Sequence, residues 1–375
     1  MRILLLLLFY SVALFPVSAG SLPDEKKAED PPAGGSPLKL SGYVDSYYFY
    51  NFNGVTSNLG ASGFERIFDH NANSFQVGMA QLKTTYTTNK VEGVIDLAFG
   101  NHGDLGNYGN AYSPLGMEFG SSGLAIKQAY ISWLINDKFK LTAGQYGTNI
   151  GYEVIDAPVN FNYSLSNLFG NGPFYHTGIK LDYAVSDKFG LMVGVTDGLD
   201  TKEDFNKKKG IQAQVFFQPL SDWSVYLNYF GSDEGVDEKN YSKWFDLATS
   251  YQITKTLMLG LNATAGSNAV GKWSGAAFYT NYRFSELFSL GARLEHFNNK
   301  EGGIYLKDAD GNGVATTGIT LTGSFNISPN LMIKPEYRFD TYNHGKFETF
   351  QLPGKDGTLS KNSQSTLGAA MIFYF

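Results

Sequence analysis

From Leu38 to Phe375 the chain repeats one pattern, runs in which apolar and polar side chains alternate, joined by connections that are short and long in turn. Alternation with period two marks a strand with one apolar face. Sixteen such runs are present: 38–50, 74–87, 91–100, 124–135, 139–146, 174–184, 189–196, 210–218, 223–231, 242–252, 256–265, 272–283, 288–298, 315–326, 331–341 and 366–375. A tilted strand crosses a bilayer in about 9–11 residues, whereas strands of soluble domains average about 5–6. These runs have membrane-crossing lengths.

The connections give the direction. Those at 88–90, 136–138, 185–188, 219–222, 253–255, 284–287 and 327–330 are short, and those at 51–73, 101–123, 147–173, 197–209, 232–241, 266–271, 299–314 and 342–365 are long. Short turns at one end and long loops at the other describe an up-and-down transmembrane barrel of the outer-membrane kind. The expected fold is therefore all-β, an antiparallel barrel of about sixteen strands over 38–375, with periplasmic turns, outer loops and both termini in the periplasm.

Composition agrees where it discriminates. Aromatic residues make up 15% and charged residues 17%, with 43 Gly, no Cys and a net charge of −6. So many aromatics exclude a disordered chain. The absence of Cys excludes disulfide scaffolds and thiolate metal sites. The acidic balance argues against a nucleic-acid partner. Residues 1–19 read as a secretory signal peptide: Arg2, the apolar run Ile3–Phe15, then Val17-Ser18-Ala19 as a cleavage site. Residues 20–37, rich in Pro and charge, read as a periplasmic linker.

Facing follows from parity. In 288–298, Leu290, Ala292 and Leu294 alternate with Gly291, Arg293 and Glu295; in 331–341, Ile333, Tyr337 and Phe339 alternate with Lys334, Glu336, Arg338 and Asp340. The charged set is expected inside, because unpaired charge against lipid costs several kcal/mol (about 2–4). A sixteen-strand barrel lined this way holds an aqueous lumen. Tyr and Trp near strand ends (Tyr47, Tyr48, Tyr50, Trp133, Trp223, Tyr229, Tyr251, Tyr282, Tyr342, Tyr374) are expected as girdles at headgroup depth. The alternating end Met371-Ile372-Phe373-Tyr374-Phe375 looks like the signal read by the barrel-assembly machinery, with Phe375 as its last residue.

Three stretches carry a family resemblance: Leu40-Ser41-Gly42-Tyr43-Val44-Asp45-Ser46-Tyr47-Tyr48; Gly151-Tyr152-Glu153 through Asn160 to Tyr163-Ser164-Leu165-Ser166; and Pro173-Phe174-Tyr175-His176-Thr177-Gly178. With them the whole chain after the signal resembles the OmpL-like β-barrel porins of Gram-negative bacteria. The resemblance implies an outer-membrane porin, a water-filled channel for passive diffusion of small hydrophilic solutes or ions. It implies no catalytic residue and no cofactor. Outer-membrane lipids, the assembly machinery and the solutes are the expected partners, and a homotrimer is one assembly left open. The competing reading is a surface binding or adhesion protein that acts through its long outer loops on a barrel anchor.

Loop 147–173, the third outer loop, is the expected constriction. In trimeric general porins the third loop folds into the lumen, and the similarity in position implies the same here. Its acids Glu153 and Asp156 are expected to face basic Arg283, Arg293, Lys334 and Arg338 across the pore. Opposed charges would set a transverse field that orients dipolar solutes; salt bridging along the wall, as between Arg293 and Glu295, is the structural reading of the same residues. Asp45, Glu92, Asp96, Asp182, Asp246, Glu295, Glu336 and Asp340 are the inward acids, and with the net charge they point weakly to cation preference. Asp308-Ala309-Asp310-Gly311-Asn312-Gly313 starts like a calcium loop, but Ile319 stands at the twelfth position, where a bidentate carboxylate is needed. The five His show no metal-site spacing, so no metal site is expected.

Overall fold

The structure is a computed structural model that describes residues 37–375, apart from 59–65, 106–110, 113–117, 120–125, 203, 205, 236–239, 309–310 and 343–361. The signal segment 1–19 and the linker segment 20–37 up to residue 36 lie outside the described residues, as do parts of the calcium-like motif and of loops 101–123 and 342–365.

The strands are β1 (Leu38–Asn51), β2 (Phe75–Thr87), β3 (Val91–Phe99), β4 (Ile126–Asn136), β5 (Phe139–Gly147), β6 (Tyr175–Ser186), β7 (Phe189–Thr196) and β8 (Gly210–Leu220). They continue as β9 (Trp223–Asp233), β10 (Tyr241–Gln252), β11 (Leu257–Ser267), β12 (Lys272–Arg283), β13 (Phe288–Asn298), β14 (Ala315–Ser328), β15 (Leu331–Tyr342) and β16 (Ser363–Tyr374). Each pairs antiparallel with its sequence neighbours, and the ring closes where β1 pairs β16, from Tyr43 opposite Tyr374 to Asn51 opposite Thr366. Two short helices lie in the long loops, α1 (Asn101–Leu105) and α2 (Asn167–Gly170). Closure matters because lipid offers no partner for a free strand edge. The last residue completes it: Gly42 and Phe375 exchange both backbone hydrogen bonds at 3.0 Å. Only glycine fits at 42, since a Cβ there would stand 2.3 Å from the Gln81 carbonyl oxygen.

Parity sets the faces. Leu290, Leu294, Ile319, Leu321, Tyr337 and Phe339 are exposed on the outer surface, whereas Arg293, Glu295, Lys334, Glu336, Arg338 and Asp340 are buried inside. Among the described residues no helix is long and apolar enough to cross a membrane. The strands do that work.

Three details differ from the sequence expectation. The connection expected over 266–271 shrinks to four residues, 268–271, because β11 runs on to Ser267 and Asn268 closes a tight turn onto Gly271. Tyr47 and Tyr342 are buried inside the barrel, and Tyr374 lines an interior cavity; none of the three joins a lipid girdle. Strand parity, which outranks a residue type's preference for the interface, turns them inward.

The largest difference is the interior itself. Near the long-loop end the inward positions are aromatic: Phe49, Phe230, Trp244, Trp273 and Phe297 are all buried. Loop side chains Ile150, Phe161, Leu168, Ile304 and Leu306 pack against Phe230, Trp244, Trp273 and Phe297. Each such burial is worth roughly 1.5–3 kcal/mol. Polar and charged inward residues dominate the short-turn half, with Ser132, Thr142, Lys140, Asp182, Ser224 and Ser250. Much of the aromatic content thus builds a packed core inside the barrel.

Candidate functional site

The connection from β5 to β6 crosses the barrel interior and is bonded to the far wall. It leaves β5 through Gly151, whose φ of +99° suits glycine. The Gly151 N–H donates to Asp246 Oδ1 at 3.0 Å. Tyr152 then stacks on Tyr279 with ring centroids 4.4 Å apart. It lies flat over β11 because position 260 is glycine; a Cβ there would sit 2.2 Å from the Tyr152 hydroxyl.

Beyond Tyr152 the wall's charges satisfy the loop's backbone. Glu336 accepts from the N–H groups of Tyr163 at 2.7 Å and Ser164 at 3.1 Å. Glu295 accepts from the Asn167 N–H at 2.7 Å. Lys334 Nζ donates to the carbonyls of Ala157 at 2.8 Å and Asn160 at 2.5 Å. Arg338 donates to the Leu165 carbonyl at 2.7 Å, and Arg293 to the Ser164 carbonyl at 2.6 Å. The Tyr163 hydroxyl donates to Asp45 at 2.5 Å. A hydrogen bond to a buried charge contributes about 1.5–3 kcal/mol, so this set holds the segment firmly.

The loop acids part company. Glu153 forms a buried ion pair with Arg293 at 2.6 Å and accepts the Ser166 N–H at 2.8 Å. Asp156 points the other way. It binds Lys127 of β4 at 2.5 Å and accepts from Gln81 of β2 at 2.9 Å, while Lys127 also reaches Asp96 at 3.4 Å. The expected picture of both acids facing a basic wall across water is corrected here: Arg293, Lys334 and Arg338 are covered by the loop, not by solvent. Arg283 sits apart, half-buried at the short-turn end of β12. Asp45, Glu92 and Asp96 are all buried inward groups.

One chain of ion pairs ties the loops to the wall. It runs Asp69–Arg66, Arg66–Asp340 at 3.2 Å, Asp340–Arg338 at 2.9 Å, Arg338–Glu295 at 3.3 Å, Glu295–Arg293 at 3.5 Å and Arg293–Glu153. Burial alone would raise Asp69, but the Arg66 guanidinium outweighs it and holds the carboxyl below its usual range. Arg66 and Asp69 belong to the first long loop. Nothing in the alternation marks them, because loop residues carry no parity.

A cavity of about 630 Å³ remains on the other side of the docked loop, lined by β1–β6 and by part of β7–β10. Lys83, Lys127, Lys140, Lys180, Glu92 and Asp182 reach it from the wall, and Glu153 and Asp156 from the loop. The four lysines stand at inward positions of runs already recognised in the sequence. Parity alone would have found Lys83, Lys140 and Lys180.

Residues 37–375 match the family described as beta-barrel porin-2, OmpL-like. The chain belongs to this family. Solved outer-membrane porins share the porin-like fold. The outer-membrane channel DcaP of Acinetobacter baumannii aligns with TM-score 0.57 and 14% identity, over 90% of this chain and 97% of that one. An anion-selective porin from Comamonas acidovorans aligns with TM-score 0.57 and 14% identity, over 90% and 99%. OmpT of Vibrio cholerae, in its trimer form, aligns with TM-score 0.55 and 12% identity, over 90% and 99%. No curated protein matches the chain. As a porin barrel it is a channel-forming fold, and the adhesion reading is not favoured.

Proposed function

We propose that this porin passes small hydrophilic solutes by diffusion along a half-lumen. Its bore is bounded on one side by the wall from β1 to β10 and on the other by the docked segment of residues 147–173. The observation that carries this reading is the polar, charge-lined cavity beneath that segment, inside a closed barrel with an apolar outer face. Glu153 and Asp156 bound the bore, while Arg293, Lys334 and Arg338 act as its anchorage. The short turns and both termini face the periplasm of a Gram-negative cell after removal of residues 1–19. Assembly as a homotrimer is supported by the trimer form of the similarly folded OmpT.

Conductance in planar bilayers tests the reading. Purified protein is expected to insert in steps of constant size, and a variant lacking residues 152–169 is expected to give larger steps. A barrel that inserts without conducting would overturn it.

A further inference from the structure

We infer that the long-loop end carries a second binding site, a pocket for a neutral saccharide between the β13–β14 connection and the rims of β9–β12. The inference stands apart from the channel reading, because the pocket shares no lining residue with the cavity beneath the third loop.

The pocket has a volume of about 630 Å³, within the ~300–1,000 Å³ of small-molecule sites. Strand register sets its floor. Gly266 of β11 pairs with Trp244 of β10 on one side and with Trp273 of β12 on the other. A Cβ at 266 would stand 2.2 Å from Trp273 Cε2, so the indole lies over the glycine and meets Trp244 with ring centroids 5.1 Å apart. Both rings are buried, so they shape the floor rather than offer an open face. Neither indole N–H has an acceptor among the described residues. A buried donor without a partner is costly, and a ligand oxygen seated on the floor would supply one.

The wall is braced from within. The Asn299 side chain accepts the Ile304 N–H at 3.1 Å and donates to the carbonyls of Ile304 at 3.1 Å and Leu306 at 2.8 Å. Asn268 donates to the Gly303 carbonyl at 2.5 Å and accepts the N–H groups of Val270 at 2.9 Å and Gly271 at 3.1 Å, which pins the connection to the β11–β12 turn. The Leu306 N–H donates to Asn171 of the third loop at 3.3 Å. A pocket held in shape this way spends little binding energy on ordering itself.

The polar groups left to the pocket give the ligand class. Asn240 Oδ1 has no donor among the described residues, and Lys307 forms no ion pair with a described carboxylate. Glu234 is half-buried and accepts the Leu199 N–H at 3.1 Å; a carboxylate has lone pairs for further donors. Tyr305 keeps 41% of its surface exposed among the lining residues. An anion would meet Glu234 and a cation would meet Lys307, so a ligand of either single charge is penalised. Hydroxyl groups, which both donate and accept, suit an amide, a carboxylate and an ammonium at once. The apolar C–H face of a sugar ring suits the open tyrosine ring. A neutral saccharide combines the two.

The test is calorimetric titration of the full-length mature protein, in a detergent without a sugar headgroup, with glucose, galactose, mannose, maltose, lactose and sucrose in turn. Sodium gluconate is the charged comparison. At least one neutral sugar is expected to bind saturably in the millimolar range or tighter, and gluconate is expected to bind more weakly. Asn240→Ala and Tyr305→Ala are each expected to weaken the binding by roughly tenfold, Tyr305→Phe to keep most of it, and Lys255→Gln in the turn after β10 to leave it unchanged. Heat-modifiable gel mobility checks that each variant is folded. If no sugar of the set binds saturably to the wild type, the inference is overturned. If sugar binding is untouched in folded Asn240→Ala and Tyr305→Ala, the sugar sits elsewhere and the assignment to this pocket is overturned. Gluconate binding as tightly as the neutral sugars overturns the ligand class.

Discussion

Arg293 Nη1 lies 2.6 Å from Glu153 Oε1, on a contact that joins the barrel wall, the docked loop and the edge of the cavity. Neither side chain is reached by bulk water, yet Glu153 belongs to the cavity lining and Arg293 does not. Arg293 therefore acts on permeation through Glu153. Arg293→Ala is expected to cost about 3–5 kcal/mol of barrel stability, because it leaves a buried carboxylate unpaired. It is also expected to move ion preference toward cations and to make single-channel currents noisier as the loop loosens. Adding Glu153→Gln should restore the ion preference but not the quiet baseline. If the second substitution leaves selectivity where the first put it, Arg293 faces the permeating ion directly and the relationship is wrong.

Gly260 is the matching device on β11. Tyr152 occupies the space that a side chain at 260 would need. Gly260→Val should cost roughly 1–3 kcal/mol, the usual penalty of overpacking. Tyr152→Ala should absorb most of that cost, so that the double variant is more stable than the sum of the singles predicts. Urea unfolding in detergent, followed by heat-modifiable gel mobility, measures all four proteins. Strict additivity would show that the ring does not lie there.

How far the sequence spoke depends on which residues had a period to read. Arg293, Glu295, Lys334, Glu336 and Arg338 were placed inside by parity, and the barrel with them. The same parity placed Tyr47 and Tyr342 inside, but their residue type pointed to the interface, and burial followed parity. What an inward charge meets was not legible. Lys334 ends on two loop carbonyls and Glu336 on two loop N–H groups, partners set by the irregular path of residues 148–174. Arg66 and Asp69 were invisible for that reason. Lys83 and Lys180 follow from parity alone, since both stand at inward positions of regular strands.

Asp200 gives the long-loop end a pH dependence. It sits in the connection between β7 and β8 at a positive φ of 48°. Its carboxylate accepts the N–H groups of Phe174 at 2.6 Å and Tyr175 at 3.0 Å, which clasps the end of the third loop. Burial pushes this carboxyl up to about 7; the two N–H groups oppose the rise and Glu234 adds to it. Released to water it would titrate near 3.9. The clasped state thus holds a proton that the released state has lost between about pH 4 and pH 7. The clasp is strongest below about pH 4, weakens as pH rises through that window, and is level above about pH 7. Hydrogen exchange at Phe174 and Tyr175, corrected for intrinsic rates, should show more protection at pH 5 than at pH 8, and Asp200→Asn should remove the difference. Greater protection at pH 8 would reverse the sign and sink the account.

Lys127 makes the sharpest contrast with Arg293. Both are buried cations bonded to an acid of the third loop, but Lys127 faces the cavity and serves two carboxylates at once, Asp96 and Asp156. Lys127→Gln leaves both uncompensated on the solute's path, whereas Arg293→Ala leaves one at its edge. The reversal potential should therefore swing further toward cations in Lys127→Gln than in Arg293→Ala. It should do so with little added noise, since Glu336, Glu295, Lys334 and Arg338 still hold the loop. Because Asp156 is partly open to the water of the cavity, the swing should shrink as KCl is raised from about 0.1 to 1 M, where the Debye length falls from about 10 to 3 Å. A swing independent of salt would mean that Lys127→Gln acts by moving the loop and not by unmasking charge.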